Sequence, residues 1–204
     1  MKHSSKRIAY TTYTIIGLNL FLYALEIRLG GSTDIATLER LGALIPERVE
    51  AGEWWRLIGA NFLHYGSLHL ATNMLALYFI GRLVEFNLGA RFYLIVYLAS
   101  GIGSMLTFSW LALKTGINNV FLVGASAAIM GLIGAILAIS LQLWFNNKSS
   151  LNTRRLRQVI IIILVQFIFD NLIPQVSFQS HLFGLIIGFL VSSFLLLLRL
   201  KMQN

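Results

Sequence analysis

The chain contains no cysteine, only two prolines and few charged residues. Without cysteine there is no disulfide framework, no thiolate metal site and no thiol nucleophile. Two prolines in 204 residues, with a mean hydropathy of +0.75, exclude a collagen-like fibre and a disordered chain. Charged residues make up 12% of the sequence, about half the share usual in soluble domains. Apolar residues make up 57%, so a soluble fold of this length would lack the polar groups needed to cover its surface. The apolar side chains must face lipid, and the sequence reads as a multi-pass integral membrane protein. Acidic residues are scarce as well, eight against sixteen basic, for a net charge of +8. In a soluble protein that surplus points to nucleic acid. In a membrane protein it is loop charge that sets orientation, so no nucleic-acid partner is expected.

The sparse charges mark the spans, because a helix needs about 20 mostly apolar residues to cross the hydrocarbon core. Ile8 to Leu25 is uncharged and follows the basic segment 1–7; it is too long for a signal-peptide core and reads as a retained anchor. Between Arg56 and Arg82 lie 25 uncharged residues. Phe92 to Leu113 is uncharged, and Thr115 to Asn147 holds a further span. From Gln158 to Leu198 the one charge is Asp170, and the Asn171–Pro174 break divides this stretch in two. The expectation is an all-α bundle of six transmembrane helices, at 8–28, 67–85, 92–113, 125–144, 156–171 and 180–198. It forms one domain over 1–204, with a long outer loop at 30–66.

Six spans put both termini on one side. That side carries Lys2, Lys6, Arg7, Arg82, Arg91, Lys148, Arg154, Arg155, Arg157, Arg199 and Lys201 against the single acid Glu85. The other side carries five basic residues and seven acids. By the positive-inside rule the termini are cytoplasmic. The expected location is the bacterial plasma (inner) membrane, with lipid as the surrounding partner. Trp54 and Trp55 suit a membrane interface, and Trp55 and Arg56 read as anchors of the outer loop.

Unpaired polar groups are costly in hydrocarbon, so those inside spans are functional candidates. His69 and Asn73 are four apart near the start of the second span and share a helix face. Ser126, in Gly124-Ala-Ser-Ala127, stands where a loop becomes the fourth span, beside backbone N–H groups that lack intrahelical partners. His181, Gly184 and Gly188 share one face of the sixth span. These three helices run in the same direction, from outside to inside, so His69, Asn73, Ser126 and His181 lie at similar depth near the outer leaflet. Each alone has a structural explanation: small-residue packing for Gly-Ala-Ser and for Gly184-xxx-Gly188, interhelical hydrogen bonding for Asn73 and the histidines. Together they point to chemistry.

In order and spacing these residues resemble the rhomboid intramembrane serine proteases. The matching features are Trp55-Arg56, His64-xxxx-His69-xxx-Asn73, Gly81-xxx-Glu85-xxx-Gly89, Gly124–Ala127, and Val176-Ser-Phe-Gln-Ser-His181 with Gly184 and Gly188. The resemblance implies a serine endopeptidase that cuts transmembrane segments of other proteins near the outer side of the bilayer. It implies a Ser126–His181 catalytic dyad, with the Ser126 backbone, His69 and Asn73 stabilising the oxyanion. Gly124, Gly184 and Gly188 then serve helix packing at the site, and neither cofactor nor metal is required. No acid is expected to orient His181, since Asp170 falls before the last loop. Helix five and the Asn171–Gln179 loop are expected to act as a gate. Two positions depart from the family pattern. Ala127 stands where Gly is frequent, and Met130 stands where an aromatic residue often packs on the histidine; a thioether can also contact an imidazole.

The rival classes fit less well. A transporter finds no inverted repeat and no intramembrane carboxylate paired with the histidines. A metalloprotease lacks His-Glu-x-x-His, and an aspartyl protease lacks two membrane aspartates. The remaining alternative is a non-catalytic rhomboid-like protein that binds transmembrane clients. Retention of both Ser126 and His181 favours the enzyme.

Overall fold

A computed structural model describes residues 8–117, 120–173 and 176–201. The basic segment 1–7 and Pro174, which the sequence reading uses for orientation and for the break between the last spans, lie outside the described residues. Among the described residues regular structure is helical, apart from one antiparallel bridge between Leu44 and Leu122.

Helix α1 spans Tyr10–Leu29. Its buried residues, Thr12, Ile15, Asn19 and Glu26, recur at helical spacing and are mostly polar, while Leu18, Leu20, Phe21 and Ile27 are exposed. That inversion, polar inside and apolar outside, suits a helix surrounded by lipid. No side chain of its own caps its start. Instead Glu85, far along the chain, accepts hydrogen bonds from the backbone N–H of Thr11 (3.0 Å) and Thr12 (2.8 Å) and from the Thr12 hydroxyl (2.7 Å). A carboxylate on orphan helix N–H groups is a charge-assisted cap. Replacing Glu85 with Ala should therefore cost about 2 kcal/mol. The readout is a lower thermal midpoint of the detergent-solubilised protein, with Glu85→Gln keeping part of the stability; an unchanged midpoint would show that α1 docks without this cap.

The 30–66 connection folds into three short helices. Asp34 caps α2 (Ile35–Leu41) by accepting from Thr37 N–H at 2.9 Å, and Gly42, in the left-handed region, ends it. Pro46 begins α3 (Pro46–Glu50), and α4 covers Arg56–Gly59. The buried Arg56 guanidinium holds them together, donating to the Glu53 carboxylate (2.6 Å) and to the carbonyls of Glu39 (2.8 Å) and Ala43 (2.9 Å). Trp54 and Trp55 beside it are exposed. Arg56 thus anchors the connection from within, while the tryptophans face outward.

The remaining helices are α5 (Ser67–Leu88), α6 (Ala90–Thr115), α7 (Ser126–Asn146), α8 (Ser150–Leu172) and α9 (Phe178–Lys201). Helix α5 contains one π-helical stretch, Leu77–Gly81. Helices α5, α6, α7 and α9 are long and apolar enough to cross a membrane. Helices α1 and α8 have comparable lengths but richer polar content; α8 opens six residues before the expected boundary because Ser149 caps it ahead of Arg154, Arg155 and Arg157.

Helix α7 is the axis of the bundle, with Ala127, Ala128, Gly131, Gly134, Ala135 and Ala138 all buried. In lipid, helices associate mainly through close packing, which small residues permit. On α9, a Cβ on Gly184 would collide with the Ala127 carbonyl oxygen, and one on Gly188 with the Gly131 carbonyl oxygen. A Cβ on Gly134 would strike the Leu185 carbonyl oxygen in turn. The α7–α9 seam is therefore backbone against backbone.

Candidate active site

The first turns of α5, α7 and α9 open onto one cavity of about 260 Å³, lined by His69, Asn73, Ser126, Met130 and His181 among others. Ser126 is the first residue of α7, where backbone N–H groups are free of intrahelical partners. The segment leading to it is laid onto the 30–66 connection. Leu122 exchanges both backbone hydrogen bonds with Leu44 (2.9 and 3.1 Å), and Gly124 N–H donates to the Ala60 carbonyl at 2.8 Å. Gly124 does not lie in a helix seam, contrary to its assignment with the packing glycines. It sits in the turn before α7 with φ +126°, and a Cβ there would lie 2.7 Å from Cε1 and Nε2 of His69 and 3.6 Å from Ser126 Oγ. Its need for glycine is set by the imidazole above it and by its own backbone conformation.

Asn73 donates one amide hydrogen to the His69 carbonyl one turn earlier (2.8 Å), which orients the amide and leaves its second hydrogen available. Behind His69 lies His64, fully buried, with its ring edge-on to that of His69 at 5.1 Å between centroids. Burial, reinforced by neighbouring His69, pulls the His64 pKa down to about 3, so this imidazole is neutral across the physiological range. The His64 backbone N–H donates to the Glu26 carboxylate at 3.0 Å. Met130 is buried, in a cluster with Ile133, Val159, Ile163 and Leu185 that joins α7 to α8 and α9.

His181 is nearly buried, and its Nδ1 lies 2.8 Å from Asp170 Oδ2. This corrects the expectation that no acid reaches His181. Helix α8 continues to Leu172, and α9 begins at Phe178. Residues eleven apart therefore face each other across the α8–α9 seam, beside the Phe167–Phe178 ring contact at 5.1 Å. Gln166, one turn before Asp170, donates to its other oxygen at 2.7 Å. The absence of a carboxylate paired with the histidines, counted against a transporter, is likewise overturned by Asp170 on His181, whereas Glu26 meets only the backbone of His64. Both acids carried a signal in the sequence, since each is an ionisable residue within or at the end of an apolar run. Among the described residues no hydrogen bond links Ser126 Oγ directly to His181; the two groups share the cavity, and such contacts commonly tighten only when substrate is bound.

An apolar helical bundle with polar side chains gathered at the starts of three helices belongs to the class of multi-helix membrane proteins with a buried polar chamber. The Rhomboid domain matches residues 51–198, and the chain belongs to the rhomboid family. It is 36% identical over 183 residues to Rhomboid protease GluP of Bacillus subtilis (strain 168), covering 89% of this chain and 34% of that protein. RHOMBOID-like protein 5 of Arabidopsis thaliana is 36% identical over 168 residues, 81% of this chain and 52% of the relative. RHOMBOID-like protein 1 of the same plant is 36% identical over 197 residues, 95% and 48% respectively. The chain thus spans about a third to a half of the length of these relatives.

Proposed function

We propose that this protein is an intramembrane serine endopeptidase that cleaves transmembrane segments of other membrane proteins near the outer face of the bilayer. The observation that carries this reading is the single cavity onto which Ser126, His181, His69 and Asn73 all open. In this reading the chain has six spans with cytoplasmic termini in a bacterial plasma membrane, and the cavity lies toward the outside, where water can reach it.

Ser126 Oγ attacks the scissile carbonyl while His181 takes its proton, then returns it to the leaving amine as the C–N bond breaks. Water repeats the sequence on the acyl-enzyme. The oxyanion is received by the Ser126 N–H, the free Asn73 hydrogen and the His69 imidazole. A substrate helix reaches the site through the α5–α8 seam. There the active-site cavity is prolonged by a second one, of about 380 Å³, and both are lined by Ile80, Ile133 and Ile162. Helix α8 can yield because most of its apolar residues, Ile160, Ile161, Leu164, Val165 and Ile168 among them, face outward.

The test is incubation of the purified protein with a model transmembrane substrate and, separately, with a fluorophosphonate. Cleavage and labelling at Ser126, both insensitive to EDTA, are expected. Substrate capture without either would favour the non-catalytic client-binding reading. His69→Ala and Asn73→Ala should each lower kcat by about 10²–10³-fold. KM should stay near wild type, because these donors act as charge develops on the oxygen. A rise in KM with kcat intact would move them to substrate binding.

A further inference from the structure

Asp170 is a buried acid that the Ser126–His181 mechanism leaves without a task. Its side chain is wholly buried, His181 Nδ1 lies 2.8 Å from one oxygen, and Gln166 Nε2 donates to the other at 2.7 Å. We infer that Asp170 is the positioning residue of the proposed endopeptidase, holding the Nδ1–H of His181 so that the Nε2 lone pair faces Ser126. The inference rests on the function proposed above and adds a third member to its Ser–His pair.

The chemistry follows from the donor inventory. An ionised carboxylate can only accept, so the proton between Asp170 and His181 sits on Nδ1. The neutral ring then carries its lone pair on Nε2, which a base for Ser126 requires. As the Oγ–carbon bond forms, the Ser126 proton moves to Nε2 and the carbonyl π pair moves to oxygen. Asp170 stays ionised throughout and stabilises the imidazolium until Nε2 protonates the departing amine. Two partners on two oxygens prevent the carboxylate from rotating away. The opposite reading makes the same bond a clasp between α8 and α9 that restrains the gate, and it predicts the opposite result: breaking the clasp would ease substrate access and raise activity.

Asp170→Asn in the full-length protein separates them. Positioning predicts that kcat falls by about 10²–10⁴-fold at neutral pH with KM within a few-fold of wild type. It also predicts slower fluorophosphonate labelling of Ser126. Asp170→Glu should restore part of kcat. A measurement without substitution at Asp170 guards against a folding defect. In ¹⁵N-histidine spectra of the resting wild-type protein, with the His181 signals assigned by their loss in His181→Gln, His181 should be the Nδ1–H tautomer. Unchanged or increased kcat in Asp170→Asn, or an Nε2–H tautomer, overturns the inference while wild-type cleavage and an inactive Ser126→Ala leave the proposed function standing. Absence of cleavage and labelling in the wild type itself overturns the proposed function first.

Discussion

Ser126→Ala should abolish cleavage of a transmembrane substrate, His181→Ala should do the same, and both proteins should remain folded. Ser126 lies on the first turn of α7, where alanine fits as readily as serine, and its neighbours Ala125 and Ala127 are already alanine. His181 is held by Asp170 at the start of α9, so its removal leaves a small cavity without touching the Gly184–Ala127 contact. Groups that act as one unit are strongly non-additive, so the double variant should be no slower than either single one. Residual turnover then reports what the oxyanion donors and binding contribute alone, on the order of 10³-fold over water in serine proteases. Substantial cleavage by purified Ser126→Ala would refute the nucleophile assignment, and additive losses in the double variant would show that the two residues serve separate steps.

Gly184→Val should inactivate the protein although it touches no group that reacts. The first atom of any side chain at position 184 meets the carbonyl oxygen of Ala127, with Ala127 C at 3.0 Å and Cα at 3.3 Å. Backbone cannot move aside as a flexible side chain can, so α9 must shift away from α7. Ala127 directly follows Ser126, and Gly184 lies three residues after His181, which places the displacement between the two groups that must meet. A misplacement of about 1 Å can cost roughly 10²-fold in rate, and overpacking a seam of this kind costs about 1–3 kcal/mol. The expected result is a kcat at least about 10²-fold lower, together with a lower thermal midpoint. Gly184→Ala should be affected in the same direction, since Cβ alone makes the clash. Leu182→Val, only partly buried, should change little. Full activity of Gly184→Val in detergent would mean that the α7–α9 seam does not set the distance between Ser126 and His181.

What sequence alone determines here are properties that depend on near neighbours and on depth. Apolar runs bounded by arginines and lysines fall on the long helices, with α5, α6, α7 and α9 apolar enough to cross a membrane. Helix direction then assigns a depth to His69, Asn73, Ser126 and His181, and all four meet at one cavity. Spacings of three and four residues place Gly184 and Gly188 on one face.

Depth does not give azimuth, and every feature that depends on which way a helix turns was decided by tertiary packing. Asp170 could have faced lipid-side water or a loop; the rotation of α8 against α7, set by Val159 and Ile163 packing on Met130 and Ile133, turns it onto His181 instead. Glu26 reads as one more outer acid, yet the polar face of α1 carries it inward to His64. Glu85 reads as an inner-loop charge, and becomes the cap of a helix more than seventy residues earlier in the chain. Arg56 is buried because the carbonyls that satisfy it come from a connection that looks unstructured in sequence. Each of these polar groups finds a hydrogen-bond partner on another segment of the chain, and partners of that kind exist only once the helices have docked.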